Sequence, residues 1–330
     1  MMLTFDRESI DARLSARITF LEWLSTGILL ATAFSLAVLR PWPYDFLNYL
    51  NVANGNFDHY YYAYWFVPIF QLLAWMPIFA SYFLWNLINI VSLLFAVRVF
   101  GGRSILLLAA FQTFFILVFG QITGIIIAGL ALTLWGLVHE KPWVAGLGIV
   151  IACTKYQIGV PAALAIWVFY GGSFNNRLRA LILPIMISIL SLVIYPLWPL
   201  SIWETVHNFP PNDWGSITLW RWLGPLALFL WLPPLLLPLP RDRRLKAIIA
   251  AIPLAVPYFQ QTDLLLLFAL PVGWLALLGD IGVLYKVVGW WMMPILAILP
   301  LIVYGVAVAP GIKILLQPIM ASLSRNQAKV

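Results

Sequence analysis

The stretch ITFLEWLSTGILLATAFSLAVL, residues 18–39, contains one charged side chain, Glu22, among apolar and small residues. About 20 apolar residues in a helix cross the hydrocarbon layer of a membrane. The stretch therefore predicts a transmembrane helix. Residues 1–17 mix acids and bases and lack the apolar segment and cleavage site of a signal peptide, so we expect them to remain as a cytoplasmic segment.

The composition of the whole chain extends this interpretation. Of the 330 residues, 63% are hydrophobic and only 9% are charged, which is too few to cover a soluble globule. Its apolar runs have the length of helices rather than the alternation of barrel strands. We predict an all-α polytopic membrane protein with a single transmembrane domain, residues 1–330.

About eleven apolar segments can be drawn, and the segment after the first outer loop is treated differently. The eleven are residues 18–39, 80–97, 104–119, 122–138, 143–154, 160–171, 181–199, 223–240, 247–259, 264–279 and 287–309. Residues 62–79 are short, aromatic at the start and interrupted by Pro68 and Pro77. They predict a re-entrant or interfacial helix.

The distribution of charge predicts the orientation. Ten Lys or Arg residues and three acids occupy alternate connections, at residues 98–103, 139–142, 175–180, 241–246 and 280–286. Cytoplasmic loops are enriched in such bases. We therefore expect a multi-pass protein of the plasma (inner) membrane, with a cytoplasmic N-terminus and with long outer loops at residues 40–64 and 200–222.

Two other classes of function are disfavoured by the same sequence. The net charge of +7 is scattered between apolar segments, so it indicates topology rather than binding of nucleic acid. The single cysteine, Cys153, lies in an apolar run, which argues against a disulfide within the chain and a thiolate metal cluster. Membrane lipids are the surroundings that the sequence predicts.

The first outer loop, YDFLNYLNVANGNFDHYYYAYW at residues 44–65, is the most polar segment near an apolar span. It contains Asp45, Asp58 and His59. A carboxylate in a partly dehydrated pocket has a raised pKa, which suits it to take a proton from an attacking hydroxyl. The alternative is that Asp45 caps an interfacial helix while the tyrosines form an aromatic belt at the membrane surface.

Other outer connections carry candidate residues, each with a simpler alternative. Gln121 in FGQITG lies at a polar break that a tight hairpin would explain. Lys155 in CTKYQIGVP could bind a phosphate or extend to the membrane surface. Asp263 in VPYFQQTD lies where an N-cap is expected. Arg221, just before a span, could hold a phosphate or a lipid head group.

Along the chain come an acidic, tyrosine-rich first outer loop, a short Pro-bearing segment, Gly-Gln, a Lys-bearing hairpin and a late hairpin with Pro, an aromatic residue and Asp. In this order of motifs the chain resembles the GT-C glycosyltransferase superfamily, and most closely glycosyltransferase family 87. The resemblance covers roughly residues 18–275 and implies a GT-C-like bundle. It implies an integral-membrane enzyme that takes a sugar, with mannose favoured, from a polyprenyl phosphate on the outer side and inverts the anomeric carbon. The acceptor would be a lipid or a glycan.

The resemblance also implies a role for individual residues. Asp45 would be the general base with Tyr49 beside it, Gln121 would line the cavity, Lys155 and Gln157 would lie at the lipid phosphate, and Tyr258 and Asp263 would lie near a sugar. The family usually has Asn soon after Gly-Gln, where this chain has Ile-Thr, and often His in the late hairpin, where this chain has QQTD.

The chemistry of the residues gives the same general expectation. Displacing a phosphate from a sugar needs a base for the incoming hydroxyl, Asp45 or Asp58, and positive charge for the leaving group, Lys155 or Arg221. No cofactor and no built-in transition metal are expected. A divalent ion that bridges Asp45 or Asp58 to phosphate stays open.

Two alternatives to the enzyme remain. A transporter or flippase of lipid-linked sugars also builds its substrate path from polar hairpins at membrane depth. A noncatalytic subunit of a larger complex would use the aromatic residues, 15% of the chain, to pack against partner helices. Convergence of the acids and Lys155 would favour the enzyme, whereas their scatter over the lipid face would favour the subunit.

Overall fold

The computed structural model describes residues 5–39, 43–58, 60–208, 218–281 and 295–327. Within these ranges the regular structure is entirely helical, and none of the described residues lies in a strand. The prediction of an all-α protein is confirmed for this part of the chain.

The helices vary greatly in length. In chain order the α-helices are α1 (Arg7–Ser15), α2 (Phe20–Leu39), α3 (Tyr44–Ala53), α4 (Val67–Ala74), α5 (Ile78–Phe100), α6 (Ser104–Ala109), α7 (Phe111–Phe119), α8 (Thr123–Val138), α9 (Pro142–Cys153), α10 (Tyr156–Tyr170), α11 (Phe174–Ile194), α12 (Trp198–Asn208), α13 (Trp220–Leu223), α14 (Leu232–Leu236), α15 (Arg241–Ala255), α16 (Leu265–Ala269), α17 (Leu277–Asp280) and α18 (Ile298–Gln327). Within the same ranges, the 3₁₀ segments Tyr64–Phe66, Gly224–Trp231, Gln261–Leu264 and Gly273–Ala276 join some of them, and residues 295–297 are also 3₁₀.

Four helical segments of the described residues are long and apolar enough to cross a membrane: α2, α5, α11 and Ile295–Gln317. Helices α7 and α8 make a fifth if they are taken as one span, bent by 115°. The protein is therefore an integral membrane protein, but the predicted count of about eleven crossings is not confirmed. Part of the last predicted span, residues 287–309, lies outside the described residues.

Breaks in the apolar segments account for the difference. The predicted span 104–119 is divided at Ala110, which is extended between α6 and α7. The predicted span 223–240 contains the 3₁₀ segment Gly224–Trp231, α14 and a tail that includes Pro238. Proline lacks the N–H that continues a helix, so a run can be apolar throughout without forming one long helix. The predicted re-entrant helix at residues 62–79 is likewise not confirmed, since this segment forms a short helix, Tyr64–Ala74, and then the start of α5.

One end of the bundle, which we call the basic end, carries α1 and the connections at residues 98–103, 139–141 and 241–246. Arg13 of α1 donates from Nε to the backbone oxygen of Arg98 over 3.0 Å. His139 lies with Nε2 2.8 Å from Asp11 Oδ1. Two of the base-rich connections, at residues 98–103 and 139–142, thus meet α1.

The opposite end, which we call the polar-loop end, gathers α3, the turn between α7 and α8, the turn between α9 and α10, and residues 256–263. Ala63 N donates to Thr154 O over 2.9 Å. Trp85 of α5 donates from its indole nitrogen to Gly120 O over 2.7 Å. Polar residues as far apart in the sequence as Asp45 and Asp263 share this end, because each hairpin returns the chain to it.

The interior consists mainly of α5, α8, α9, α10 and α15, whose apolar side chains form one buried cluster. Helices α8 and α9 approach closely at Gly129, where a Cβ would lie 2.6 Å from Ala152 N. In contrast, α2 and α11 keep most of their apolar side chains exposed. These two helices present the surface that lipid would cover.

Candidate active site

Asp45 lies in the first turn of α3, where the helix dipole favours a negative charge. The residue is partly buried, and its carboxylate accepts a hydrogen bond from the side chain of Gln121. Burial raises the pKa of the Asp45 carboxyl to about 6, although the bond from Gln121 and the positive charge of Lys155 act in the opposite direction. Asp45 is therefore poised to exchange a proton near neutral pH.

Gln121 occupies the bend between α7 and α8. Gly120 ends α7 with a φ of 69°, a conformation that favours glycine. Any larger residue would also clash with α3, because a Cβ at this position would lie 2.5 Å from the Phe46 Cβ. Gln121 Oε1 accepts from Thr262 Oγ1 over 2.6 Å, and its Nε2 donates to Gln260 Oε1 over 3.4 Å. Gln121 thus connects Asp45 to the late hairpin, a role beyond that of a tight turn.

Lys155 lies in the turn between α9 and α10, directly before the first residue of α10. Its side chain is 2% exposed, and Nζ lies 2.5 Å from Asp263 Oδ1. The alternative in which this lysine extends to the membrane surface is therefore wrong. The ammonium instead contributes positive charge inside the polar-loop end, close enough to Asp45 to act on its pKa.

Asp263 is fully buried and lies at the third position of the 3₁₀ segment Gln261–Leu264, while Gln260 is the N-cap. The N-cap assignment made for Asp263 is therefore wrong by three residues. Its Oδ2 accepts from Gln260 N over 3.2 Å, as in a capping box, and its Oδ1 accepts from Thr123 Oγ1 over 3.1 Å. The carboxylate joins the late hairpin to α8 as well as to Lys155.

Three tyrosines border the carboxylates. The hydroxyl of Tyr49 donates to that of Tyr62 over 3.3 Å, and the Tyr49 ring stacks on Phe70 with centroids 4.7 Å apart. Tyr258 accepts at its hydroxyl from Gln260 Nε2 over 2.6 Å. Burial, followed by nearby negative or phenolic groups, raises the pKa of each of these tyrosines. Their hydroxyls are therefore neutral at ordinary pH.

Some predicted residues are not brought to this cluster. Asp58 is exposed, and its backbone nitrogen donates to the side chain of Asn56. Gln157 lies in the first turn of α10 and is partly buried; its Oε1 has no hydrogen-bond partner among the described residues. His59 and the side chain of Arg221 lie outside the described part of the structure.

Sequence reasoning missed four residues of the cluster: Tyr62, Thr123, Gln260 and Thr262. The last three occupy the two places where this chain departs from the family pattern, Ile-Thr after Gly-Gln and QQTD in the late hairpin. Their hydroxyl and amide groups form the bonds between the hairpins. Those departures were the signal that could have identified them.

The described residues hold no group of three or more His, Cys, Asp or Glu that could bind a metal ion. The three bonds that Asp263 accepts occupy its carboxylate. A divalent ion at Asp45 or Asp58 remains a prediction.

Most residues of this cluster lie within a segment that matches a known protein family. Residues 60–279, about two thirds of the chain, match the family model of glycosyltransferase family 87. The chain belongs to glycosyltransferase family 87. This membership and the apolar helices make it an integral-membrane glycosyltransferase, which needs a sugar donor and an acceptor. Searches of curated proteins and of solved structures gave no match.

The resemblance inferred from the sequence is thus confirmed at the level of the family. Gln121, Lys155 and Asp263 lie inside the matched range, whereas Asp45 precedes it. The place of Asp45 in the cluster is carried by its contact with Gln121 rather than by the match.

Proposed function

We propose that this glycosyltransferase moves a hexose, with mannose favoured, from a polyprenyl phosphate to a hydroxyl of a lipid or glycan acceptor, with inversion and with Asp45 as general base. The observation that carries the proposal is Asp45 itself. It is a partly buried carboxylate with a pKa of about 6 that contacts Gln121 and lies in the field of Lys155.

The reaction assigns each group a task. The acceptor oxygen attacks the anomeric carbon while its proton passes to the Asp45 carboxylate. The bond between that carbon and the phosphate oxygen breaks, and the phosphate leaves with the electron pair. Since attack and departure occur on opposite faces, the configuration of the anomeric carbon inverts.

Positive charge stabilises the departing phosphate. Lys155 provides an ammonium in a site shielded from water, where its attraction to an anion is strong. Arg221 remains a second candidate. Asp45, Lys155 and Asp263 converge on one cluster rather than scattering over the lipid face, and this favours the enzyme over a noncatalytic subunit.

The orientation belongs to the same proposal. The basic end would face the cytoplasm together with the N-terminus, because cytoplasmic loops accumulate Lys and Arg. The polar-loop end would then face the outer side of the plasma membrane. A donor anchored by its polyprenyl chain would present its phosphate there.

The test uses the full chain reconstituted in lipid vesicles and supplied with radiolabelled polyprenyl-phosphate-mannose or polyprenyl-phosphate-glucose and a membrane glycolipid extract. We expect a labelled product from wild type, and a rate at least about 10²-fold lower for Asp45→Asn, as for loss of a general base. Asp58→Asn is the matched control and should retain the wild-type rate, because Asp58 is exposed and outside the cluster.

Two results would count against the proposal. Full transfer by Asp45→Asn would overturn the assignment of Asp45 as the general base. Absence of transfer from either donor, with wild type and variant equally folded, would argue against a polyprenyl-phosphate hexose as donor.

A further inference from the structure

The carboxylate of Asp263 differs from that of Asp45 in how fully it is occupied. It accepts hydrogen bonds from Thr123 Oγ1, Gln260 N and Lys155 Nζ, which come from three separate segments of the chain. The residue is 0% exposed. A carboxylate that already accepts three hydrogen bonds is poorly placed to bind a sugar hydroxyl or to take a proton from one.

Lys155 has the opposite balance of donors and partners. An ammonium has three N–H groups, and within the described residues Lys155 makes one hydrogen bond, to Asp263. Two of its N–H groups therefore have no hydrogen-bond partner among the described residues. A buried ammonium without a counter-ion loses its proton readily, because burial disfavours the charged form.

We propose that Asp263 is a positioning residue whose carboxylate keeps the Lys155 ammonium charged and fixed in the turn between α9 and α10, ready to bind the phosphate of the donor. This inference rests on the proposed function, since it names what prepares the phosphate-binding group. It also replaces the expected role of Asp263 beside a sugar with a role that acts through Lys155.

The position of Asp263 in the fold explains why it can serve this purpose. Its backbone belongs to the Gln260 capping box, and its Oδ1 is held by Thr123 at the start of α8. Two contacts that do not involve Lys155 thus fix the carboxylate. An ammonium bound to a fixed partner is held in one place.

Other ionisable groups face this pair. Asp45 lies close enough to Lys155 to interact with its charge. The hydroxyls of Tyr62 and Tyr258 lie close to both Asp45 and Asp263. Asp45 adds a second negative charge near the ammonium, but it is bound to Gln121 and is needed as the base. Asp263 is therefore the dedicated partner of Lys155.

The test measures binding of a short-chain polyprenyl monophosphate to the full chain in detergent, by isothermal titration calorimetry between about pH 6 and pH 9. The proteins are wild type, Asp263→Asn, Asp263→Glu and Lys155→Met. As pH rises, we expect Asp263→Asn to lose at least about tenfold more affinity than wild type loses. The reason is that an ammonium without its counter-ion gives up its proton more readily. Lys155→Met should bind weakly throughout.

Asp263→Glu keeps the negative charge and should bind within about threefold of wild type at every pH. If Asp263→Asn does not fold, Asp263→Glu still tests whether a negative charge at this position supports phosphate binding by Lys155. A glutamate variant as impaired as the asparagine variant, or an asparagine variant weakened by one constant factor across the pH range, would show a merely structural role and overturn the inference.

A parallel assay of hexose transfer separates this inference from the proposed function. If the variants show the expected binding pattern but wild type transfers no hexose, the proposed function fails and the role of Asp263 stands. If wild type transfers hexose and the binding pattern is absent, the role of Asp263 fails alone.

Discussion

One ion pair at the polar-loop end and one at the basic end differ sharply in how exposed their side chains are. At the polar-loop end, the side chains of Lys155 and Asp263 are 2% and 0% exposed. At the basic end, the paired side chains of Arg7 and Asp11 are 69% and 52% exposed. Buried charges are costly unless they are paired, whereas exposed pairs contribute little to stability. Loss of one partner should therefore cost far more at the Lys155–Asp263 pair than at the Arg7–Asp11 pair.

The largest expected effect tests this contrast directly. Lys155→Met leaves the Asp263 carboxylate buried without its partner, and we expect it to lower the free energy of unfolding by about 3–5 kcal/mol. Arg7→Met at the basic end should lower it by less than about 1 kcal/mol. Chemical denaturation in detergent micelles measures both variants.

A third variant separates loss of the pair from loss of one partner. Lys155→Met combined with Asp263→Leu removes both charges and should recover most of the stability that the single change loses. A double variant as unstable as Lys155→Met would mean that the pair itself, and not the unpaired carboxylate, supports the fold.

The next effect concerns the partly buried Asp45, whose ionisation makes the stability of the polar-loop end depend on pH. A folded-state pKa of about 6 lies above the ordinary value of 3.8, so the folded state binds the Asp45 proton more tightly than the unfolded state. Stability is therefore lost as pH rises from about 4 to 6, by at most about 3 kcal/mol. Asp45→Asn cannot ionise and should be more stable than wild type above pH 6 and equal to it below pH 4.

Thermal unfolding at several pH values tests this, and the exposed Asp58→Asn provides the control with no difference at any pH. If Asp45→Asn is less stable than wild type at neutral pH, the Asp45 carboxylate stabilises the fold, and the cost attributed to its ionisation is wrong. A variant that gains stability while it loses transfer would have exchanged function for stability.

A third change addresses the backbone that positions Lys155. A Cβ on Gly159 in α10 would lie 1.9 Å from the backbone oxygen of Ala152 in α9, so Gly159→Ala must separate the two helices. We expect a loss of about 1–3 kcal/mol. The matched control is Gly27→Ala in α2, where a Cβ meets nothing within 4 Å and alanine favours the helix.

The paired measurement is thermal unfolding together with polyprenyl monophosphate binding. Gly159→Ala should weaken binding as well as stability, since Lys155 lies one helical turn before it. Equal behaviour of the two glycine variants would show that α9 and α10 can move apart without consequence for the site.

The sequence predicted several residues that meet at the polar-loop end, but not the hydrogen bonds that join them. In a helical bundle, every second connection returns to the same end. This is why the sequence could group Asp45, Gln121, Lys155 and Asp263. The partners of Asp263 could not be predicted, because the directions of the Thr123 hydroxyl and of the Gln260 capping box depend on the fold of the hairpins.

The predicted helix count is not confirmed, for a related reason. Apolar composition measures how many residues can lie in lipid, but not where a helix bends. The 115° angle between α7 and α8 depends on the left-handed backbone at Gly120, and the division of residues 104–119 depends on a single extended residue, Ala110. Such local backbone conformations leave the hydrophobic pattern of the sequence unchanged.

The smallest expected effect lies at the basic end, in the contact between α1 and α8. His139 stacks on Trp135 and lies with Nδ1 2.8 Å from the Trp135 backbone oxygen and with Nε2 2.8 Å from Asp11 Oδ1. Because Asp11 is half exposed, we expect Asp11→Asn to cost less than about 1 kcal/mol and to leave hexose transfer unchanged. Denaturation and the vesicle assay measure the two quantities, and Glu8→Gln on the same helix is the control for loss of one surface charge. A marked loss of transfer in Asp11→Asn alone would mean that α1 influences the polar-loop end through the length of α8, and the two ends could no longer be treated as independent.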